Sequence, residues 1–250
     1  MQLQINQIPP PFLPHCTAPS SDIILLHGLF GQLSNWKSVE NNFAFKHKVW
    51  APELPLFQSL VGQSLNRLVA FLEHYIEKNN IEKPILIGNS LGGHIALLYT
   101  LKHPEKVEKL VLTGSSGLYE NTFGGTFPRV KDYDYIKSKI EGVFDRKEVV
   151  NDEMIDHVFG IVQQKLKVLS VIGLARDAQK QNLANYLPLI NIPVLLIWGL
   201  QDIVTPPAVA EQFHNLLPNS TLHFINNCGH APMMEQPELF NGYVNNFLAN

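Results

Sequence analysis

The chain is poor in cysteine. Cys16 and Cys228 are the two among 250 residues, too few for a disulfide framework and without the C-x-x-C spacing of a metal or redox pair. It also lacks a surplus of positive charge: 19 Lys and Arg stand against 22 Asp and Glu, for a net charge of -3. Without a basic run, no nucleic acid or anionic membrane is expected as a partner. No stretch approaches the roughly 20 apolar residues of a membrane span. The start, MQLQINQIPPPFLPHC, has neither the cationic beginning nor the continuous apolar segment of a secretory signal. No cluster of His, Cys, Asp and Glu has metal-ligand spacing, and there is no G-x-G-x-x-G or P-loop, so neither metal nor cofactor is expected. The expectation is a soluble, cytoplasmic protein, its oligomeric state unknown.

What is present is material for a core, with 45% hydrophobic and 16% charged residues, an ordinary globular balance. Apolar runs of strand length occur at Ile23–Leu26, Val49–Ala51, Pro84–Ile87, Leu110–Leu112, Val194–Trp198 and Leu222–Ile225. Runs apolar on both faces suit strands buried in a parallel sheet. Between them lie helical stripes: Leu65, Leu68, Val69, Leu72 and Ile76; Val209, Phe213, Leu216 and Leu217; Phe240, Tyr243, Val244, Phe247 and Leu248. Ile95 to Tyr99 is apolar all round, as in a central buried helix. The alternation predicts an α/β fold, a mostly parallel sheet with helices on both faces. It breaks between 115 and 191, a segment too long for a plain connection. Helices are expected there near Tyr133–Val143, Asp152–Phe159 and Ala175–Tyr186. The expected division is a sheet core of 1–114 and 192–250 with a helical cap inserted at 115–191. Pro9 to Pro14 reads as a stiff connection after a short first strand.

One short stretch joins a strand pattern to a helix pattern: Gly88-Asn89-Ser90-Leu91-Gly92-Gly93. Glycines two positions before and after Ser90 remove the Cβ atoms that would collide in a very sharp turn, leaving the serine at its apex. This is the G-x-S-x-G pattern of a nucleophile elbow, and it requires a strand, a turn and a helix in that order. A serine nucleophile also needs a base, an acid to orient the base, and donors for the oxyanion. Asp202 ends the run PVLLIWGLQD just past one strand, and His230 lies a few residues past the next. Ser90, Asp202 and His230 follow in the order Ser, Asp, His.

With these residues in place, the chain resembles an α/β-hydrolase over nearly its whole length. The matching motifs are HGLFG at His27–Gly31, GNSLGG at Gly88–Gly93, WGLQD at Trp198–Asp202 and GHAP at Gly229–Pro232. The resemblance implies Ser90 as nucleophile, His230 as general base and then acid, and Asp202 as its orienter. It also implies an oxyanion hole from the backbone N–H groups of Leu29 and Leu91. The family often carries D-x-x-G-x-G-x-S where this chain reads Glu53-Leu54-Pro55-Leu56-Phe57-Gln58-Ser59; both glycines are absent, and the triad is untouched.

Phe30, Phe123, Phe127, Val204 and Met233 are candidates to line an acyl pocket, with ordinary packing the competing role for the phenylalanines of the insertion. His27 reads as a loop-fixing residue and His94 as a satisfied core or pocket residue. Glu120 rivals Asp202 as the acid but sits far past its strand. Glu235 and Gln236 read as serving a helix start and the surface, and Lys137, Lys139, Glu141 and Arg146 as a solvated face. The expected activity is hydrolysis of a small-molecule carboxylic ester through an acyl-enzyme. Rivals are a C–C bond hydrolase of the meta-cleavage type, which the GNS-x-GG and CGH runs also resemble, and a lyase like the menaquinone-pathway synthase, suggested by H-G-x-x-G followed by Trp36. A non-catalytic ligand receptor on the same fold is the third.

Overall fold

The computed structural model describes residues 21–57, 64–121 and 129–249. In chain order its elements are β1 (Asp22–Leu26), α1 (Lys37–Phe43), β2 (Lys48–Trp50), α2 (Leu65–Lys78), β3 (Ile85–Asn89), α3 (Leu91–Lys102) and β4 (Lys109–Thr113). There follow α4 (Tyr133–Glu141), α5 (Asp152–Val162), α6 (Lys165–Lys180), β5 (Val194–Gly199), α7 (Pro207–Leu216), β6 (Ser220–Ile225), α8 (Pro232–Glu235) and α9 (Pro237–Ala249). Each of the six strands overlaps an apolar run expected to form one. The Pro9–Pro14 connection and the short strand expected before it lie outside the described residues.

The strands form one sheet in the order β2-β1-β3-β4-β5-β6, and every neighbouring pair is parallel. This is an α/β-hydrolase sheet flanked by helices. Alternate residues of each strand point to opposite faces, and the core divides accordingly. Ile24, Leu26, Leu86, Leu110, Leu112, Leu196 and Trp198 pack with α2, α3 and α7. Ile23, Leu25, Ile85, Ile87, Val111, Leu195 and Ile197 pack with Trp36, α1 and α9. Helix α3 is buried along most of its length, as its lack of a polar face requires.

Between β4 and β5 the chain builds α4, α5 and α6, and a separate small cluster of Ile136, Ile140, Ile155, Val158 and Val162 holds α4 to α5. Two of these helices begin where a side chain accepts an amide of the first turn: Asp132 from Tyr135 N–H and Asn151 from Met154 N–H. The third differs from expectation. The sequence pattern predicts a helix over Ala175–Tyr186, whereas α6 spans Lys165–Lys180. Its apolar residues are not confined to one stripe: Val171 and Leu174 are buried while Leu166, Leu169 and Ile172 are exposed, which blurs the helical period. Asp177 of α6 accepts the Leu65 N–H of α2 at 2.7 Å, so the insertion supplies an acceptor for an orphan amide of a sheet-packing helix.

Candidate active site

Strand order reverses direction between β1 and β3, and the crevice at the carboxyl ends of strands on either side of such a point is where open α/β sheets bind ligands. The β1–β3 register pairs Leu26 with Gly88. His27–Gly31 therefore leaves one strand beside the point where Ser90 leaves the next.

Ser90 has φ 53° and ψ −121°, a left-handed conformation that a side chain adopts only under local constraint. The constraint is visible in the glycines around it. A Cβ on Gly88 would lie 2.6 Å from Gly93 Cα, and one on Gly92 would run into the Leu26 carbonyl. β3, the Ser90 turn and α3 are thus the strand, turn and helix that the elbow pattern demands. The turn is tied down by Ser90 N–H donating to Thr113 O at 3.1 Å and Ser116 N–H donating to Ser90 O at 3.2 Å.

Asp202 stands past the end of β5 and His230 past the end of β6, both buried. His230 Nδ1 lies 2.9 Å from Asp202 Oδ2. The other lone pairs of Asp202 accept from Val204 N–H at 2.8 Å, Thr205 N–H at 3.0 Å and the Thr205 hydroxyl at 2.8 Å. A carboxylate so fully occupied is fixed in place, and an ionised one makes Nδ1 the protonated nitrogen and leaves Nε2 as the basic one. Burial works against the imidazolium, but the charge and hydrogen bond of Asp202 outweigh it, with Glu120 and Glu235 adding their charges. His230 therefore titrates above its ordinary 6.5. Glu120 itself is pushed above the ordinary carboxylate range by burial, and the Nδ1 partner is Asp202.

Ser90 and His230 face a single cavity of about 130 Å³, walled from the core by Gly28, Leu29, Phe30 and Ala231 and from the insertion by Ile136, Ile140, Val143, Phe144, Met154 and Val158. Gln32, Asn35 and Lys139 supply its polar side chains besides Asn89, Ser90 and His230. Phe30, a candidate for the acyl pocket, and Leu29, a candidate oxyanion-hole donor, are both on this wall. Leu91 opens α3, where an amide has no intrahelical acceptor, and its side chain packs into the core. Phe123 and Phe127 lie outside the described residues. Val204 and Met233 are corrections. Met233 is in the core layer with Trp36 and Phe240, because α8 turns its apolar side under the sheet. Val204 is buried in the turn that Asp202 organises, and neither residue is part of the cavity wall.

Two other histidines are buried. His27 Nδ1 donates to Gly28 O at 2.9 Å and its Nε2 accepts from Leu54 N–H at 3.1 Å, so both nitrogens are spent on the two loops. Burial depresses its pKa. His94 is fully buried, its Nδ1 3.3 Å from Ser116 Oγ, and burial lowers its pKa to about 4. Trp36, the residue that suggested the lyase, is a fully buried core residue on the far layer. Lys139 departs from the solvated face expected of it and faces the cavity.

Two residues escaped the sequence reading. Asn89 Nδ2 donates to Thr113 O and to His230 O, each at 3.0 Å, and so locks the histidine loop to the elbow. Thr205 clamps Asp202. The signal for Thr205 was present, since a Ser or Thr three residues past an Asp at a strand end is a common way to satisfy a carboxylate; nothing in the sequence singled out Asn89.

Fold and site together define an α/β-hydrolase. The chain belongs to the Hydrolase_4 family (serine aminopeptidase, S33), whose pattern matches residues 59–237. Among solved structures it is similar to MGS-MChE2, an α/β-hydrolase enzyme from the metagenome of lagoon sediments at Mar Chica, Morocco. The two are 38% identical with a TM-score of 0.75, over 92% of this chain and 91% of the other. Curated relatives include the uncharacterized hydrolase YugF of Bacillus subtilis, 28% identical over 90% of this chain and 89% of its own length. A 2-hydroxy-6-oxononadienedioate/2-hydroxy-6-oxononatrienedioate hydrolase of Cupriavidus pinatubonensis is 26% identical over 94% of this chain and 90% of its own.

Proposed function

We propose that this protein is a serine hydrolase that cleaves a carboxylic ester with a small apolar or aromatic acyl part, and that Ser90, His230 and Asp202 form its catalytic triad. The observation that carries this reading is His230, hydrogen-bonded to the buried Asp202, opening together with the strained Ser90 onto one apolar cavity. His230 Nε2 takes the Ser90 hydroxyl proton as Oγ attacks the ester carbonyl. The oxyanion of the tetrahedral intermediate is held by the N–H groups of Leu29 and Leu91, with the positive end of the α3 dipole behind it. Collapse of the intermediate expels the alcohol, which takes the proton back from His230, and water repeats the sequence to release the acid and free Ser90. The helices of 115–191 act as the cap over the acyl pocket.

A second reading, C–C hydrolysis of a ring-cleavage dienoate, is favoured by several relatives and by one residue. The Cupriavidus protein and other curated relatives are named as such hydrolases, and a dienoate carries a carboxylate opposite in charge to Lys139 of the cavity lining. Against it, no arginine is among the described residues that wall the cavity, and Arg176 is exposed on α6 outside it. Ala231 follows His230 where an aromatic would build a flat wall for a diene. The deciding measurement is kcat/KM for short aryl esters beside ring-cleavage dienoates. Efficient ester turnover with poor dienoate turnover is expected; a strong preference for the dienoate would replace the ester reading with the C–C one.

A further inference from the structure

Glu235 is the most occupied carboxylate of the molecule that the chemistry above does not use. It ends the short helix α8, is 1% exposed, and is neither at the surface nor a helix-start residue. Its oxygens accept backbone N–H groups from two separate segments. From the histidine loop, Gly229 N–H donates at 3.0 Å and Ala231 N–H at 3.3 Å, the two amides flanking His230. From the inserted segment just after α4, Asp145 N–H donates at 2.8 Å and Arg146 N–H at 3.0 Å. The main chains agree with this: His230 N–H donates to Val143 O at 3.1 Å, and a Cβ on Gly229 would meet Val143 O at 2.7 Å. Arg146 closes the arrangement through Nη1 to the Glu235 carbonyl at 3.0 Å. Val143 and Phe144 wall the cavity that His230 faces.

We propose that Glu235 is a positioning residue that clamps the 143–146 wall of the substrate cavity to the loop carrying His230, so that the general base and the acyl pocket are set by one carboxylate. The proposal rests on His230 acting as base for Ser90. A buried anion is tolerated here because four amide donors replace its water. An amide side chain of equal size cannot do the same, since one of its two ends is itself a donor. Displacing a base by even about 1 Å costs on the order of 100-fold in rate, so the clamp is felt in kcat. Loosening the Val143–Phe144 wall is felt in KM.

The charge has a second consequence. The groups facing His230 are the Asp202, Glu120 and Glu235 carboxylates, while Glu235 is faced by Cys228, Asp145 and Arg146. Neutralising Glu235 removes one of the anions that favour the imidazolium, and the acid limb of kcat/KM moves to lower pH.

The experiment compares wild type, Glu235→Gln, Glu235→Asp and Ser90→Ala on one short-chain aryl ester, with thermal unfolding of each. Glu235→Gln is expected to lose roughly 10- to 100-fold in kcat, to raise KM, and to shift the acid limb downward. Glu235→Asp keeps the charge but is too short to reach both segments, so the limb stays near wild type while kcat is intermediate. If Glu235→Gln fails to fold, Glu235→Asp decides alone. A folded Glu235 variant with wild-type kcat, KM and pH limb overturns the proposal, as does a lowered melting temperature with unchanged kinetics well below it. Ser90→Ala separates the two levels: its inactivity beside fully active Glu235 variants defeats the clamp alone, whereas its full activity defeats the triad reading underneath.

Discussion

The carboxyl edge of the sheet and the inserted helices meet across one cavity, and they are built in different ways. On the sheet side the three residues of the proposed triad each sit within a few residues of a parallel strand and are held by short hydrogen bonds. Ser90 is fixed at positive φ between two strand ends, Asp202 by three donors from its own turn, and His230 by Asn89 and the Val143 carbonyl. On the insertion side the helices share a small cluster of their own, expose Leu166, Leu169 and Ile172, and offer the cavity mostly aliphatic side chains. Under the proposed mechanism the difference separates chemistry from selectivity. A reacting atom must be held to a fraction of an ångström, which a strand end provides; an acyl group needs a wall of suitable shape, which many aliphatic residues provide equally well.

The sharpest way to break that comparison is at Ser90. Ser90→Ala removes only a hydroxyl from a turn whose backbone is fixed by Gly88 and Gly92. Folding and thermal unfolding stay near wild type while ester turnover falls by about 10⁴-fold or more. A fluorophosphonate probe labels the wild type at Ser90 and leaves the variant unlabelled. Turnover near wild type in the variant would move the chemistry off the strand edge altogether.

Next in size is the acid. Asp202→Asn presents an amide where the carboxylate held Nδ1–H, and the imidazole is left in the wrong tautomer, at a cost of about 10³- to 10⁴-fold in kcat. Glu120→Gln removes a charge near His230 without touching that hydrogen bond, so kcat at high pH changes little. The acid limb tells the two apart further. His230 must be neutral to accept a proton, and its pKa is raised, so wild-type kcat/KM is lost as pH falls through a value above 6.5. Removing the Glu120 charge lowers that value and moves the limb down. A larger loss from Glu120→Gln than from Asp202→Asn would transfer the acid to the other strand end.

How far the sequence discloses each region follows the same division. The strands were legible because a strand buried on both faces has no choice but to be apolar throughout, as at Ile85–Ile87 and Val194–Trp198. The elbow was legible because Gly92 and Gly88 have no room for a Cβ. The positions of Asp202 and His230 followed from the strand ends. Less was legible wherever a side chain acts over sequence distance. Glu235 looks like a helix-start residue until Asp145 and Arg146, some 90 residues away, are seen to donate to it. Met233 is an apolar residue three positions from His230, and only the turn of α8 says that it faces the core. The α6 helix was misplaced because exposed leucines on its outer face hide the buried stripe.

The smallest effect is expected at the one charge the insertion brings to the cavity. Lys139 is half-buried on α4, its Nζ 5.6 Å from the Tyr135 ring centroid, in a wall otherwise supplied by aliphatic residues on that helix. An ammonium partly open to water contributes little to an ion pair, about 1 kcal/mol or less, which corresponds to a few-fold in kcat/KM. Lys139→Met keeps the length and apolar stem, leaves Ser90, Asp202 and His230 in place, and removes only the charge. Neutral aryl esters should therefore turn over at wild-type rates, whereas esters whose acyl part ends in a carboxylate should lose roughly three- to fivefold in kcat/KM, with the loss shrinking as salt is added. The ratio of the two substrates, measured on wild type and variant at low and high ionic strength, isolates selectivity from chemistry. An equal fall for neutral and anionic esters would show that the insertion, too, holds a group on which the reaction itself depends, and the division between edge and insertion would then fail at this residue.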